Sequence, residues 1–285
     1  MTTSEMNDGA QRMILIVASA KDVASMNIRQ QLLAHYDFEE STEKFHNTPV
    51  YYMTIGDNEM KLVTIKEESI YYQTITNNFN PQLIIYISRH SSKSGTPTLS
   101  VHTPGNLTDQ AQKGGIPRKT SIAPANAMKE ALMEMAQQKN TLGLNYKVSY
   151  ECTHHGPSLD VAAMFVELGS SPTQWKDANA AEAVAHAAMA PICKRSKYSP
   201  VAIGIGGPHY SRKFSRMALE GSFVFGHMIP KYVISQVDAE VIKQCVERTA
   251  EKVEAVILDW KGIKGEDKAG LVEALKEVGV PTQKV

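Results

Sequence analysis

The sequence predicts an α/β fold with a mixed, mostly parallel sheet covered by helices on both faces. Three observations carry that expectation. Five short apolar runs rich in β-branched residues, Met13–Ala18, Leu83–Ile87, Val201–Ile205, Phe223–Phe225 and Val253–Leu258, lack the alternation of half-exposed strands and read as strands buried on both faces. Between them, apolar residues recur at helical spacing over Val23–Ala34, Ala123–Gln138, Asp177–Ala190, Ser211–Leu219, Ala239–Lys252 and Asp267–Val278. Alternating strands and helices make a parallel sheet with helical crossovers. The exception is Val50–Ile55 and Met60–Ile65, which flank Gly-Asp-Asn-Glu and read as an antiparallel hairpin at a sheet edge.

The 285 residues, 42% of them hydrophobic, suffice for one large domain over 13–285, with a composition change near residue 145 as the candidate sub-boundary between two lobes. Met1–Arg12 carries almost no apolar residue and reads as a disordered tail. Thirty basic residues balance thirty acidic ones, so the chain exerts no bulk attraction on nucleic acid or on an anionic membrane, and any polyanion site has to be local. No apolar run reaches the 18 or so residues of a spanning helix, and the opening segment is polar where an export signal is apolar. A soluble cytoplasmic protein is expected. Cys152, Cys193 and Cys245 are odd in number and lack CxxC spacing, which suggests a reducing compartment and neither a disulfide framework nor a thiolate zinc knuckle.

Charge is uneven along the chain. Arg89, Lys93, Lys113, Arg118 and Lys119 share their segment with Asp109 alone, and Lys194, Arg195, Lys197, Arg212, Lys213 and Arg216 share theirs with no acid. Both segments follow buried strands and are expected at strand carboxyl ends, where open α/β sheets bind ligands. They read as a phosphate-binding surface or as solvated clusters.

The richest motif is Val148–Asp160, where a strand ends in Glu151, Cys152 and Thr153 and is followed by His154, His155 and a Gly156-Pro157 turn. Imidazoles act as metal ligands or bases near neutral pH and a carboxylate completes either role, although a His pair at a strand end can also be structural. In Pro200–Arg216 a strand runs into Gly204, Gly206, Gly207 and His209 before a helix. Such a turn lets an anion approach backbone amides, or only permits tight packing. His90 and His102 flank a third segment, and His102 precedes Thr-Pro-Gly-Asn with Gly105 and Asn106. His90, His102, His154 and His209 thus all follow strands and are expected at one end of one sheet. His35, His46 and His186 read as structural, and His227 is a lesser candidate. No G-x-S-x-G elbow occurs, and Cys152 beside His154 is adjacency in sequence only.

These motifs resemble the archaeal and plant type of D-aminoacyl-tRNA deacylase: Ala18, Ser19 and Asp22 after the first strand, Ser88–Ser92, His102–Asn106, Glu151–Pro157 and Gly204–Tyr210. The resemblance runs from Met13 nearly to the C-terminus. It implies hydrolysis of the ester joining a D-amino acid to the 3′ end of tRNA, a zinc requirement, and a fold related to peptidyl-tRNA hydrolases and nucleoside phosphorylases. It does not assign ligands. On residue chemistry, His102, His154 and His155 are the expected Zn²⁺ ligands, with the number of ions open, and Glu151, His154 and His209 are the expected catalytic groups, with Glu151 as base. Gly105, Asn106, Gly206 and Gly207 are expected to bind an oxyanion or phosphate, and the basic segments the tRNA acceptor stem and 3′ end. No obligate protein partner is expected. Discrimination against L-esters should come from exclusion by rigid turns at His102–Asn106 and Gly204–His209. The competing classes are a metal-independent aminoacyl- or peptidyl-tRNA hydrolase, a nucleoside phosphorylase-like enzyme, and a tRNA binder without catalysis.

Overall fold

The computed structural model describes residues 12–193 and 199–285. Arg12 already belongs to the first strand, so the expected tail is shorter by that residue; 1–11 lie outside the described residues, as do Lys194, Arg195 and Lys197.

Strand β1 (Arg12–Ser19) is followed by α1 (Val23–His35), then by a meander of β2 (Glu39–Phe45), β3 (Thr48–Ile55) and β4 (Asn58–Ile65). Next come β5 (Leu83–Arg89), β6 (Thr98–His102), α2 (Ala125–Thr141), β7 (Lys147–Tyr150) and β8 (Ala162–Gly169), then α3 (Pro172–Trp175) and α4 (Ala178–Cys193). The rest is β9 (Val201–Gly206), α5 (Arg212–Leu219), β10 (Val224–Ile229), α6 (Ala239–Glu247), β11 (Val253–Asp259), α7 (Gly265–Val278) and β12 (Thr282–Lys284). The fold class is the expected mixed α/β, but the strands divide into two sheets. One has eight strands in the order β2-β3-β4-β1-β5-β8-β6-β7, and the other has four, β10-β9-β11-β12, all parallel.

In the first sheet β4, β1, β5 and β8 run parallel, and β6 then pairs antiparallel to β8 while β7 runs with β6. Alternate residues of β1 confirm burial on both faces: Ile14, Ile16 and Ala18 join the main core, whereas Leu15 and Val17 join a second one with Ile75 and Phe79. The main core is filled by α4, whose buried alanines 180, 181, 183, 185, 187 and 188 let it pack closely against α1 and α2. It continues into the second sheet through Ala202, Phe225 and Ile257, so α2 and α5 lie on one face of that sheet, and α6 and α7 cover the other.

Two departures from the sequence reading have physical causes. Helix α6 stops at Glu247 instead of Lys252, because Arg248 and Ala250 bond to the backbone of Ala123, and the Arg248 guanidinium donates to the carbonyls of Thr120 and Leu159. Strand β8, AAMFVELG, went unread, since Ala, Met, Leu and Glu favour helix and a buried Glu interrupts its apolar run. It lies between β5 and β6 and carries Glu167.

Candidate active site

Ser88 on β5 and Ser100 on β6 both stand opposite Glu167 on β8. From that row β5 and β6 leave in opposite directions, so His90 and His102 reach Glu167 from its two sides. His90 Nδ1 is 3.4 Å from one carboxylate oxygen, His102 Nε2 is 3.6 Å from the other, and the Ser88 hydroxyl donates to that second oxygen at 2.7 Å. The expectation of one shared sheet end is therefore wrong. β6 opposes β5, and His209 follows a strand of the other sheet, yet the four histidines still converge, because the residues after β7 bridge the two sheets. Glu151 N–H donates to Val101, Cys152 N–H to His209 and Thr153 N–H to Met228.

Glu151, fully buried, is the hub. His209 Nε2 lies 2.7 Å from one of its oxygens and His154 Nε2 3.7 Å from the same one, while His90 Nδ1 stands 3.0 Å from the other, off the hydrogen-bond line. The Tyr210 hydroxyl meets His90 Nε2 at 2.6 Å. Burial opposes charge on all these groups, and their mutual pairing overcomes it. Contact with His209 and His90 holds Glu151 well below the usual carboxylate range, the two glutamates raise His90 to about 11, and Cys152 with Glu151 raises His209 to about 10. Glu151 is thereby favoured as an anion, and His90 and His209 as cations, at neutral pH.

The other three histidines are held differently. His154 Nδ1 is 2.8 Å from the Cys152 carbonyl, His155 Nδ1 is 2.7 Å from the Gly156 carbonyl and His102 Nδ1 is 3.3 Å from the Thr103 carbonyl. A carbonyl only accepts, so each Nδ1 carries a proton, and it is Nε2 that a neutral ring would offer as a lone pair. One ring nitrogen from each of the three lies within 4.8 Å of the others, and the buried His102 Nε2 has no hydrogen-bond partner. Burial first, then the neighbouring imidazoles, push His154 well below the usual range and His155 down to about 4, so both are neutral at pH 7. The turn that aims them is His155 itself, in the left-handed region at φ 45° and bonded through its carbonyl to the Gly105 N–H at 2.6 Å. His102 stacks on Phe165, its cross-strand neighbour, with ring centroids 5.2 Å apart.

Of these groups His90, His154, His155, Glu167 and His209 line a pocket of about 290 Å³, together with Asp22, Glu68, Arg89 and Lys113. Several expected groups are already engaged. Glu151 is fully buried and held as a carboxylate by His209 and His90, which weighs against its expected role as base. The Gly105 N–H is bonded to His155, and the Asn106 side-chain amide donates to the carbonyls of Gly114 and Ile116, so neither donor is free for an oxyanion. A Cβ on Gly207 would lie 3.3 Å from the Asp259 carboxylate, so this turn already faces an anion. The close backbone packing is elsewhere: a Cβ on Gly114 would fall 1.9 Å from the Ile70 oxygen, and one on Gly156 2.2 Å from Gly115 N. Ile70 and His155 both line the pocket, so this junction is close-packed backbone beside it; of the expected turns, Gly204–His209 reaches the pocket through His209.

The basic residues also sort by partner. Arg89 pairs with Glu68 at 3.0 Å, Arg118 with Asp238 at 2.6 Å and Lys119 with Asp160 at 2.8 Å, and Lys213 pairs with Asp259, so their charge is largely neutralised. Lys93, Lys113, Arg212 and Arg216 are exposed. The sequence reading missed Glu167, Tyr210 and the Cys152–His209 contact at 3.2 Å. Only the polar residue inside the apolar run of β8 hinted at the first.

The D-aminoacyl-tRNA deacylase family profile matches residues 77–283. The D-aminoacyl-tRNA deacylase of Pyrococcus furiosus is 39% identical over 275 residues, covering 94% of this chain and 98% of that one, and that of Methanosarcina acetivorans is 32% identical over 290, covering 100% and 96%. A crystal structure of a conserved protein of unknown function superposes with a TM-score of 0.84 at 30% identity, covering 96% of each chain. The chain therefore belongs to the D-aminoacyl-tRNA deacylase family and is a hydrolase.

Proposed function

We propose that this chain hydrolyses the ester between a D-amino acid and the 3′ end of tRNA in the pocket beside His154 and Glu167, with zinc held by His102, His154 and His155. The observation that carries the metal reading is the three-imidazole set, each Nδ1 on a backbone carbonyl and the buried His102 Nε2 without a partner. Fixing the far nitrogen in this way is how proteins orient metal-binding histidines. When bound, zinc would supply Lewis acidity and bring a water molecule's pKa to about 7, which suits an ester that is already activated.

The chain's own groups do the rest. Glu151 and Glu167 keep His90 cationic and fixed, and Glu151 anchors His209, whose charge faces the pocket where negative charge develops on the ester oxygen. Lys113, exposed at the rim, is placed for the terminal phosphate. The backbone junction at Ile70, Gly114 and Gly156 excludes the side chain of an L-ester, since D- and L-esters share every group and differ only in direction. The free thiols, Cys152 among them, suit a reducing compartment such as the cytoplasm.

The test is turnover of D- and L-tyrosyl-tRNA with and without chelator, alongside zinc content. His102→Ala and His155→Ala should each lower the D-rate by at least about 10²-fold and lower bound zinc with it. Full activity after complete zinc removal would sink the metal reading, and equal D- and L-rates the stereochemical one.

A second reading is favoured by one observation: Cys152 Sγ lies 3.2 Å from His209 Nδ1, and His209 Nε2 lies 2.7 Å from Glu151, the order of a thiol nucleophile, base and orienting acid. Against it, Cys152 is fully buried. Cys152→Ala should cost less than about 10-fold if the thiol only positions His209, and at least about 10³-fold if it attacks.

A further inference from the structure

Three of the cations that have no carboxylate partner among the described residues share one groove. Lys139 at the end of α2, Lys147 at the start of β7 and Arg212 at the start of α5 line a groove of about 770 Å³. Among the described residues none of the three has a carboxylate within 4.0 Å, and Arg216 on the same wall meets Glu220 only at 3.9 Å. Hydroxyl side chains of the 94–98 segment line the same groove.

Two features join this groove to the pocket. Tyr210 walls the groove and touches the pocket's His90 through its hydroxyl at 2.6 Å. The loop after β5 spans both, with Ser91 in the pocket and Ser94 in the groove. We propose that this groove holds the single-stranded 3′ end of the RNA substrate, its phosphates against Lys139, Lys147 and Arg212 and a base stacked by Tyr210, and delivers the terminal ester to the pocket. The inference rests on the tRNA reading above and adds the path. Unpaired cations with an interposed aromatic and hydroxyls form the usual single-strand surface, and an aromatic face accepts any base.

The test uses the full chain carrying Lys139→Glu and Lys147→Glu together, with Lys139→Gln and Lys147→Gln if the charge reversal impairs folding. Binding of uncharged tRNA is followed against salt. Loss of two single-strand phosphate contacts should reduce the slope of log affinity on log salt by about 1.4. The ratio of kcat/KM on D-tyrosyl-tRNA to that on D-tyrosyl-adenosine ester should fall at least about 10-fold. An unchanged slope and ratio, equal losses on the two substrates, or displacement of tRNA by an acidic peptide but not by a CCA-ending oligonucleotide would each overturn the proposal. The slope needs no turnover, so wild-type protein that binds tRNA with the expected slope but does not hydrolyse the D-ester would strike the activity reading alone.

Discussion

Lowering the pH should destabilise the protein through His227, a residue outside the pocket. His227 sits on β10, fully buried, with Nε2 3.1 Å from the Arg248 carbonyl and Nδ1 3.1 Å from the Thr153 hydroxyl. The carbonyl fixes the proton on Nε2, so Nδ1 accepts from Thr153, whose oxygen in turn accepts the Met228 N–H. A second ring proton would break that chain. Burial, with the Arg248 charge, lowers its pKa from the ordinary 6.5 to about 4. Because the folded value is depressed, the stabilisation is complete above pH 6.5 and is lost as pH falls through about 4, since the unfolded chain takes up the proton first. At 1.36 kcal/mol per pKa unit the window amounts to about 3 kcal/mol, most of it lost by about pH 4.5. Urea unfolding of wild type and His227→Asn at pH 7.5 and 4.5 isolates this group from the other titrating residues. The variant should be less stable by about 1–2 kcal/mol at the higher pH, having lost buried hydrogen bonds, and should match or exceed wild type at the lower. Stability curves that stay parallel across the window would refute the reasoning.

Two further outcomes are expected. Gly156→Ala places a methyl group 2.2 Å from Gly115 N and 2.6 Å from the Ile70 oxygen, backbone that cannot turn aside, so it should cost at least about 3 kcal/mol in urea unfolding and narrow the rate ratio between D- and L-esters; a silent substitution would disprove the rigid wall. Arg248→Met removes donors from the Thr120 and Leu159 carbonyls and an ion pair with Asp160 at 2.8 Å, so a loss of about 2–4 kcal/mol is expected by the same measurement, with thermal unfolding as the cross-check.

Much of the fold was legible because buried strands and amphipathic helices leave local periodic signals. β1, β5, β9 and β11 and helices α1, α2 and α4 stand within a few residues of their expected bounds. What local pattern cannot encode is pairing. Nothing in the runs before His90 and His102 says that one strand is parallel to β8 and the other antiparallel, so the histidines converge for a geometric reason other than the shared sheet end the sequence suggests. The same limit explains the basic residues. Lys213 reads as a free charge until the fold brings Asp259 against it from 46 residues away, whereas Lys139 and Lys147, in no cluster along the chain, become neighbours of Arg212 only in the folded groove.

The partner of each ring's second nitrogen separates the histidines into two chemical kinds. A carbonyl behind Nδ1 leaves His102, His154 and His155 as lone-pair donors, whereas carboxylates beside His90 and His209 keep those two as cations. Glu151 and Glu167 together balance His90 and His209, so that quartet contributes no net charge to the pocket. On the zinc reading, the ion's charge is then left uncompensated by this quartet, while Asp22 and Glu68 offset Arg89 and Lys113 in the same pocket, and an anionic RNA terminus with a developing oxyanion is what such a balance attracts. Replacing either glutamate by glutamine would disturb this twice, by releasing the histidine it charges and by shifting the pocket's sign. On that reading the two carboxylates belong to the site through the histidines they charge, Glu151 from behind the pocket and Glu167 from its wall.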